Sequence, residues 1–395
     1  MTHSAFSCHL CGAAALEDIE GYGALNRVTS DCRPWVPGGR LALCTRCGLL
    51  QKPVDASWED ETARLYAGYT LYHQGGGKEQ AVFDEGGQGG LPRSSKLAEK
   101  LRAFLPPRGR LLDIGCGNGA FLRRFAAAFP DWSLSGTELG EAHRREVEAI
   151  PQVERVYCGS PDKAPGTFDA VTLIHVLEHV PDPGNFLQIV RRKLNPGGLL
   201  MVHVPDHTRN PFDLLIADHC THFSAGSLRR FLRWCGFTLL SEGTDWVRKE
   251  TTVLAMPGEA REDTLPFEDP LSSGERGRQS VDWLGALRRQ ADLLSRDRPS
   301  GRGFGLFGTA IAATWLASEL HMRFDFFVEE DANRVGKVLM GRPVLHPDSV
   351  PDASDVFLPL PAPIAREIRE RLEKTRPSVR FHGPDDGASD APDAL

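Results

Sequence analysis

The stretch "LLDIGCGNG", residues 111–119, runs from apolar residues into Asp113 and then sets Gly115, Gly117 and Gly119 at every second position. Glycine supplies backbone that turns left-handed at no steric cost and lets a ligand come close. Several folds use such turns, so the surrounding chain has to decide which one this is.

Outward from it, apolar patterning alternates with a period of two and a period near 3.6. Strand "RLLDIG" is followed by helix "AFLRRFAAAF", strand "WSLSGTE", helix "EAHRREVEAI", and strands "VERVYCG" and "FDAVTLIHV". Helix "NFLQIVRRKL" stops at "NPGG", and then come strand "GLLMVHVP", helix "AGSLRRFLRWC" and strands "GFTLLSEG" and "RKETTVLAMP". This rhythm predicts an α/β fold with a seven-stranded Rossmann-like sheet, the last two strands closing it as a hairpin. The glycines then sit where the first strand turns into the first helix, so backbone N–H groups and the helix N-terminus face a ligand at the carboxyl edge of the sheet. Glu138 ends the second strand and suits both hydroxyls of a ribose. Residue chemistry alone admits NAD or S-adenosylmethionine.

The chain has 395 residues, 41% hydrophobic and 25% charged, which is ordinary for a globular protein of two or three domains. No apolar run nears the ~20 residues of a membrane span, and "MTHSAFSCHL" lacks a signal-peptide layout; the expectation is a cytoplasmic protein without membrane contact. A formal charge of −7 argues against nucleic acid and for a small-molecule partner.

Four of the nine cysteines form two C-x-x-C pairs, Cys8 with Cys11 and Cys44 with Cys47. Each tight turn aims two thiolates at one point, which suits tetrahedral Zn²⁺, and four thiolates leave no open position for catalysis. The expectation is a structural zinc site, with Cys32 between the pairs as an alternative fourth ligand. Between Val54 and Ser95, Tyr66, Tyr69, Tyr72 and His73 stand beside glycine-rich breaks. They read equally as a lid over a ligand or as a helix whose tyrosines pack on the next domain.

The motifs "LLDIGCGNGAFL", "GTE", "FDAVTLIHVLEHVPDPGNFLQIVRRKLNPGGLLMVHVP" and "FLRWCGFTLL" resemble those of class I S-adenosylmethionine-dependent methyltransferases over residues 109 to about 256. The resemblance implies that Asp113, Gly115, Gly117 and Gly119 cradle the cofactor and that Glu138 holds its ribose. Ser160, where an Asp is commoner, stands near the adenine, and His175 is assigned to the same cofactor. With "CHLCG…CTRCGLLQ…YAGYTLY" before and "GFGLFGTA…FFVEEDANRVGKVLMGRPVLHPDSV" after, the whole chain is similar to the zinc-containing sugar C-methyltransferases. That similarity implies a zinc-binding domain and lid at 1–85, a methyltransferase domain at 86–258, a C-terminal α/β domain at 259–382 and a disordered tail at 383–395. It also implies a nucleotide-linked 4-keto sugar as substrate.

Methylating carbon beside a ketone needs a base for the α-proton and a group to steady the enolate oxygen. In "IADHCTHFSAGSL", His222 matches the family's histidine and is the expected base. His219 stands where that family has tyrosine, and Thr221 replaces its glutamate. His179, in "VLEHVPDP", matches a second pocket histidine, and Tyr72 completes the catalytic candidates. Glu178 is expected to hold its loop and Cys220 to be a buried thiol. The altered "HCTH" segment also fits methylation of oxygen or nitrogen on another small molecule, and a non-catalytic cofactor-binding protein is the third reading. Near the C-terminus, Gly303, Gly305 and Gly308 keep G-x-G-x-x-G spacing at the start of a second Rossmann-like unit. The family's Trp-Asn after its last strand is absent at "LPLPAP".

Overall fold

The computed structural model describes residues 7–70, 74, 76–79, 81, 82, 90–259 and 266–384. Tyr72, His73 and the tail from residue 385 lie outside the described residues. No helix among the described residues is long and apolar enough to cross a membrane.

The central sheet has seven strands: β1 (Arg108–Ile114), β2 (Asp131–Glu138), β3 (Val153–Cys158), β4 (Phe168–Ile174), β5 (Leu194–Pro205), β6 (Phe237–Gly243) and β7 (Glu250–Pro257). Their order is β3-β2-β1-β4-β5-β7-β6. The first five run parallel, and β7 enters antiparallel between β5 and β6. The expected hairpin is therefore present, with its second strand wedged inward. Helices cover both faces, so β5 is a nearly unbroken buried run from Leu199 to Pro205. Helix Pro183–Lys193 starts on the Asp182 cap with Pro183 in its first turn, and helix Ala225–Trp234 starts on a Ser224/Ser227 capping box. The helix expected over "EAHRREVEAI" is confined to Arg144–Glu148, because Ile150 precedes Pro151 and is steered out of helical backbone. The strand order reverses between the parallel neighbours β1 and β4, which opens a ligand crevice at their carboxyl ends.

A four-stranded sheet lies beside this one. Three strands come from the cysteine module, Leu16–Asp18, Ala42–Cys44 and Leu50–Gln51, and the fourth is Thr221–His222 from the loop after β5. One core spans both units, with Cys8, Cys44 and Cys47 packed in the cluster that contains Leu177, Val204 and Phe223. A second core joins Tyr22 and Leu50 to Phe212 and Leu214, to Trp283 of the long helix Pro270–Arg296, and to Trp315 and Leu306 of the C-terminal unit. Residues 211–222 are thus clamped from three sides.

The C-terminal sheet has six strands, five of them parallel, with Gly303–Phe307 paired between Phe326–Val328 and Ser354–Phe357. The G-x-G-x-x-G spacing there is not a phosphate turn. Gly303 and Gly305 lie inside the strand, where a Cβ on Gly305 would stand 2.3 Å from the Phe326 ring, and only Gly308 (φ +88°) occupies the turn.

Candidate active site

The glycine turn is built from the end of β1. Gly115 and Gly119 have φ of +72° and +77°, and a Cβ there would meet Val176 at 2.5 Å and Ile150 at 2.7 Å. Both glycines are required by packing against the loops after β4 and before β3, whatever binds. Asp113 is buried and accepts a hydrogen bond from Thr172 Oγ1 at 2.6 Å, across from β4. Burial pushes its pKa up to about 7, the Thr172 hydroxyl opposes that, and the Glu138 carboxylate adds to it. Glu138 ties the turn to β2, accepting from the N–H groups of Gly117 (2.9 Å) and Leu139 (2.8 Å). Asn118 is buried and donates Nδ2–H to the Gly77 carbonyl at 2.7 Å, while its Oδ1 has no partner among the described residues. Ser160 follows β3, whose Cys158 pairs with Glu138, so it stands exposed at the same edge. A buried carboxylate, a second one at the next strand end and an orphaned amide oxygen make an acceptor set that fits the ammonium and ribose hydroxyls of S-adenosylmethionine.

His175 is brought to this edge at the end of β4, with φ of +53°. Its Nδ1 is 3.1 Å from Glu178 Oε1 and its Nε2 is 3.3 Å from Glu250 Oε1. Glu250 also takes both ends of the Arg93 guanidinium (2.6 and 2.8 Å) and lies 2.6 Å from His203 Nε2. Burial and Arg93 disfavour a charge on His175, but Glu250 and Glu178 outweigh them and push its pKa up to about 9. His175 is therefore a cation inside an ion-pair web. The Glu178 carboxylate holds His175 within its own loop, and its main-chain carbonyl accepts from Cys220 N–H at 2.9 Å.

The histidines of the 211–222 segment divide into two kinds. Asp213, on the turn Pro211–Leu215, bridges two rings, with Oδ1 2.7 Å from His219 Nδ1 and Oδ2 2.6 Å from His222 Nδ1. Burial would raise the Asp213 pKa, yet the two imidazoles hold it well below the carboxylate range. His222 is 1% exposed, and its Nε2 is also taken, at 3.0 Å from Lys52 Nζ. Burial and the Lys52 ammonium push its pKa down to about 3. The expectation that His222 is the base fails on this geometry: both nitrogens are occupied, and the ring is sealed between the cysteine module and Asp213.

His219 differs. Its Nδ1 is held by Asp213, and no hydrogen bond reaches its Nε2 among the described residues. Its ring packs edge to face on His179, with centroids 4.6 Å apart. His179 donates from Nδ1 to the Asp218 carbonyl at 3.0 Å, and Tyr66 Oη lies 3.2 Å from the same nitrogen. Burial and the neighbouring His219 lower the His179 pKa, so this ring is neutral. Burial and the Asp218 carboxylate raise that of the Tyr66 phenol, which keeps its proton. Because the His179 Nδ1 proton points at the carbonyl, the Tyr66 proton remains for an oxygen in the pocket. Cys220 is a buried thiol pushed up to about 12, as expected. Asp213 and Lys52 were not singled out from the sequence, and Tyr66 appeared there as one of the tyrosines of a lid or packing helix. Only the Asp213–His219–His222 spacing, six and three residues, hinted at the bridge.

The four pairing cysteines converge. Cys8 Sγ lies 3.4 Å from Cys47 Sγ and Cys11 Sγ 3.7 Å from Cys44 Sγ, and all four sulfurs fall within 4.8 Å of one another. A tetrahedron with Zn–S bonds of ~2.3 Å has sulfurs about 3.8 Å apart, so the cluster is compatible with zinc. Gly12 and Gly48, both left-handed, close the two knuckles by donating to the Cys8 and Cys44 carbonyls. Cys32 is not part of the set; it sits in a separate turn, its thiol pushed up to about 12 by burial.

Residues 92–242 match the family described as a methyltransferase domain. The ubiquinone biosynthesis O-methyltransferase of Xanthomonas campestris is 34% identical over 116 residues, 28% of this chain and 48% of the relative. That of Pseudomonas aeruginosa is 34% identical over 116 residues, 27% of this chain and 48% of the relative. The chain spans about half the length of the curated relatives it matches. Among solved structures, the 1,6-didemethyltoxoflavin-N1-methyltransferase of Burkholderia thailandensis aligns over 53% of this chain and 96% of its own, at 18% identity and a TM-score of 0.38. Residues 92–242, which carry the glycine turn at the carboxyl end of β1 and strands β1–β5, form a Rossmann-like methyltransferase domain, and β7 beyond them completes its sheet.

Proposed function

We propose that the chain is an S-adenosylmethionine-dependent methyltransferase that methylates carbon beside the ketone of a nucleotide-linked keto sugar, with His219 as the base. The observation that carries the reading is the Asp213–His219 pair. A carboxylate on Nδ1 fixes the tautomer and leaves the Nε2 lone pair without a hydrogen-bond partner among the described residues, on a ring that packs against His179. His219 Nε2 takes the α-proton, and the Tyr66 O–H, kept protonated by its surroundings, donates to the enolate oxygen that develops. His179, neutral and half-buried, orients the sugar beside it. Asp113, Glu138 and the turn at Gly115, Gly117 and Gly119 hold the cofactor, with Asn118 Oδ1 as a further acceptor. When bound, S-adenosylmethionine supplies an electrophilic sulfonium methyl group. The cysteine module, with structural zinc, and the C-terminal sheet flank the crevice, in keeping with the three-part resemblance.

A second reading, O-methylation, is favoured by the similarity to the O-methyltransferases above. It asks less of the site, since a hydroxyl needs only one base and no enolate support. Calorimetric titration with S-adenosylmethionine, followed by NMR of products from a panel of nucleoside-diphosphate keto sugars, tests the proposal. Binding of the cofactor and a new C–CH₃ signal are expected. A methyl on oxygen would transfer the assignment to the second reading, and failure to bind the cofactor would remove both.

A further inference from the structure

We propose that Lys52, a residue of the cysteine module, is a positioning residue for the methyltransferase base: through His222 and Asp213 it fixes the ring of His219. This rests on the reading of His219 as base. Lys52 follows the strand Leu50–Gln51 and is 2% exposed. Burial pushes its pKa down to about 7 against the pull of Asp213, and in its charged form it has three donors. Lys52 directs one at each of three acceptors, the Ile216 carbonyl (2.7 Å), the His219 carbonyl (2.9 Å) and His222 Nε2 (3.0 Å).

The consequences run in one direction. If His222 Nε2 accepts, its proton is on Nδ1, and that N–H donates to Asp213 Oδ2 at 2.6 Å. The remaining oxygen, Oδ1, is then set to accept from His219 Nδ1 at 2.7 Å, so His219 carries its proton on Nδ1 and presents a bare Nε2. Remove the Lys52 donors and the sealed His222 Nε2 is left without a partner, and the loop loses its ties at the Ile216 and His219 carbonyls. The His222 ring, still donating to Asp213 but no longer pinned at its far nitrogen, gains freedom to tilt, and the carboxylate's hold on His219 weakens with it. Lys52 also fixes the loop itself through the two carbonyls. The low pKa of His222, about 3, agrees with a neutral ring caught between a donor and an acceptor. His9 Nδ1 beside Thr221 Oγ1 (2.9 Å) and the Lys52 N–H on the Cys220 carbonyl (2.9 Å) stitch the same strand to the same module.

The test is long-range ¹H–¹⁵N NMR of the imidazoles in the zinc-loaded full chain without substrate, for wild type and Lys52→Met. Wild type should show His219 and His222 both protonated on Nδ1 and bare on Nε2. Lys52→Met, with zinc still at one per chain, should shift the His222 Nε2 resonance and broaden the Nδ1–H resonances of His222 and His219. Its solvent deuterium exchange into a nucleoside-diphosphate 4-keto-6-deoxyhexose should fall about 10- to 100-fold, part of the ~10²–10⁴ that a general base supplies. A wild-type His222 protonated on Nε2 overturns the proposal, and that spectrum decides even if Lys52→Met does not fold. An unchanged His219 resonance in a folded Lys52→Met also overturns it. His219→Ala retaining full exchange would instead remove the base reading and leave the tautomer result standing.

Discussion

Asp113 shows how much one buried carboxyl can cost. Its folded pKa, raised to about 7 by burial, lies above the unfolded value of 3.8. The native state therefore holds a proton that the unfolded chain has lost between about pH 4 and 7. Its contribution to stability is present below pH 4, declines as pH rises through that window and is gone above 7. Asp113→Asn should accordingly match wild type below pH 4 and exceed it increasingly up to pH 7, by up to a few kcal/mol at about 1.4 kcal/mol per pKa unit. Denaturant unfolding across pH 4–8 checks this; parallel curves for the two proteins would refute it. Cofactor affinity of the variant should fall, since the carboxylate is lost. Asp113 and Glu138 were legible in the sequence because a strand, a turn and the next strand end fix their places. The choice between His219 and His222 was not. They lie three residues apart in one extended segment, and what separates them is Lys52, 170 residues from His222 in sequence.

Elements show the same division. The βα rhythm, the helix caps and the strand edges of the central sheet follow from local pattern and chemistry. The two-residue strand Thr221–His222 carries no pattern of its own and exists because Leu50–Gln51 offers an edge. The C-terminal glycines mark the start of the second Rossmann-like unit, but their spacing does not reveal that Phe326 packs over Gly305. At the β1 turn the glycine requirement is steric and testable. Gly115→Ala forces a left-handed alanine into Val176, 2.5 Å away, and should cost about 1–3 kcal/mol of stability even without cofactor. A variant as stable as wild type in urea would show that the turn can relax.

At the scale of the whole molecule, the cysteine module contributes a sheet edge, Lys52 and His9 to the loop that carries His219 and His222. Purified protein should contain one zinc per chain. Chelation should disorder the module and, with it, the Thr221–His222 strand, so that methyl transfer falls while the β1–β5 sheet persists by circular dichroism. Retained activity in zinc-free protein would separate the two units. The segment around Gln74 binds the parts together from the other side: Gln74 takes a hydrogen bond from Arg334 of the C-terminal unit at 3.1 Å, Gly77 meets Asn118, and Ala81 N–H donates to Asp331 at 3.2 Å. The central claim is that proton removal by His219 precedes methyl transfer to carbon. It is tested most directly by following deuterium exchange at the α-carbon of a nucleoside-diphosphate 4-keto sugar beside methylation, in wild type and His219→Ala. The account predicts exchange and methylation in wild type, both reduced by roughly 10²–10⁴-fold in the variant with S-adenosylmethionine affinity unchanged. Methylation by wild type without exchange, or a His219→Ala enzyme within twofold of wild type, would contradict it.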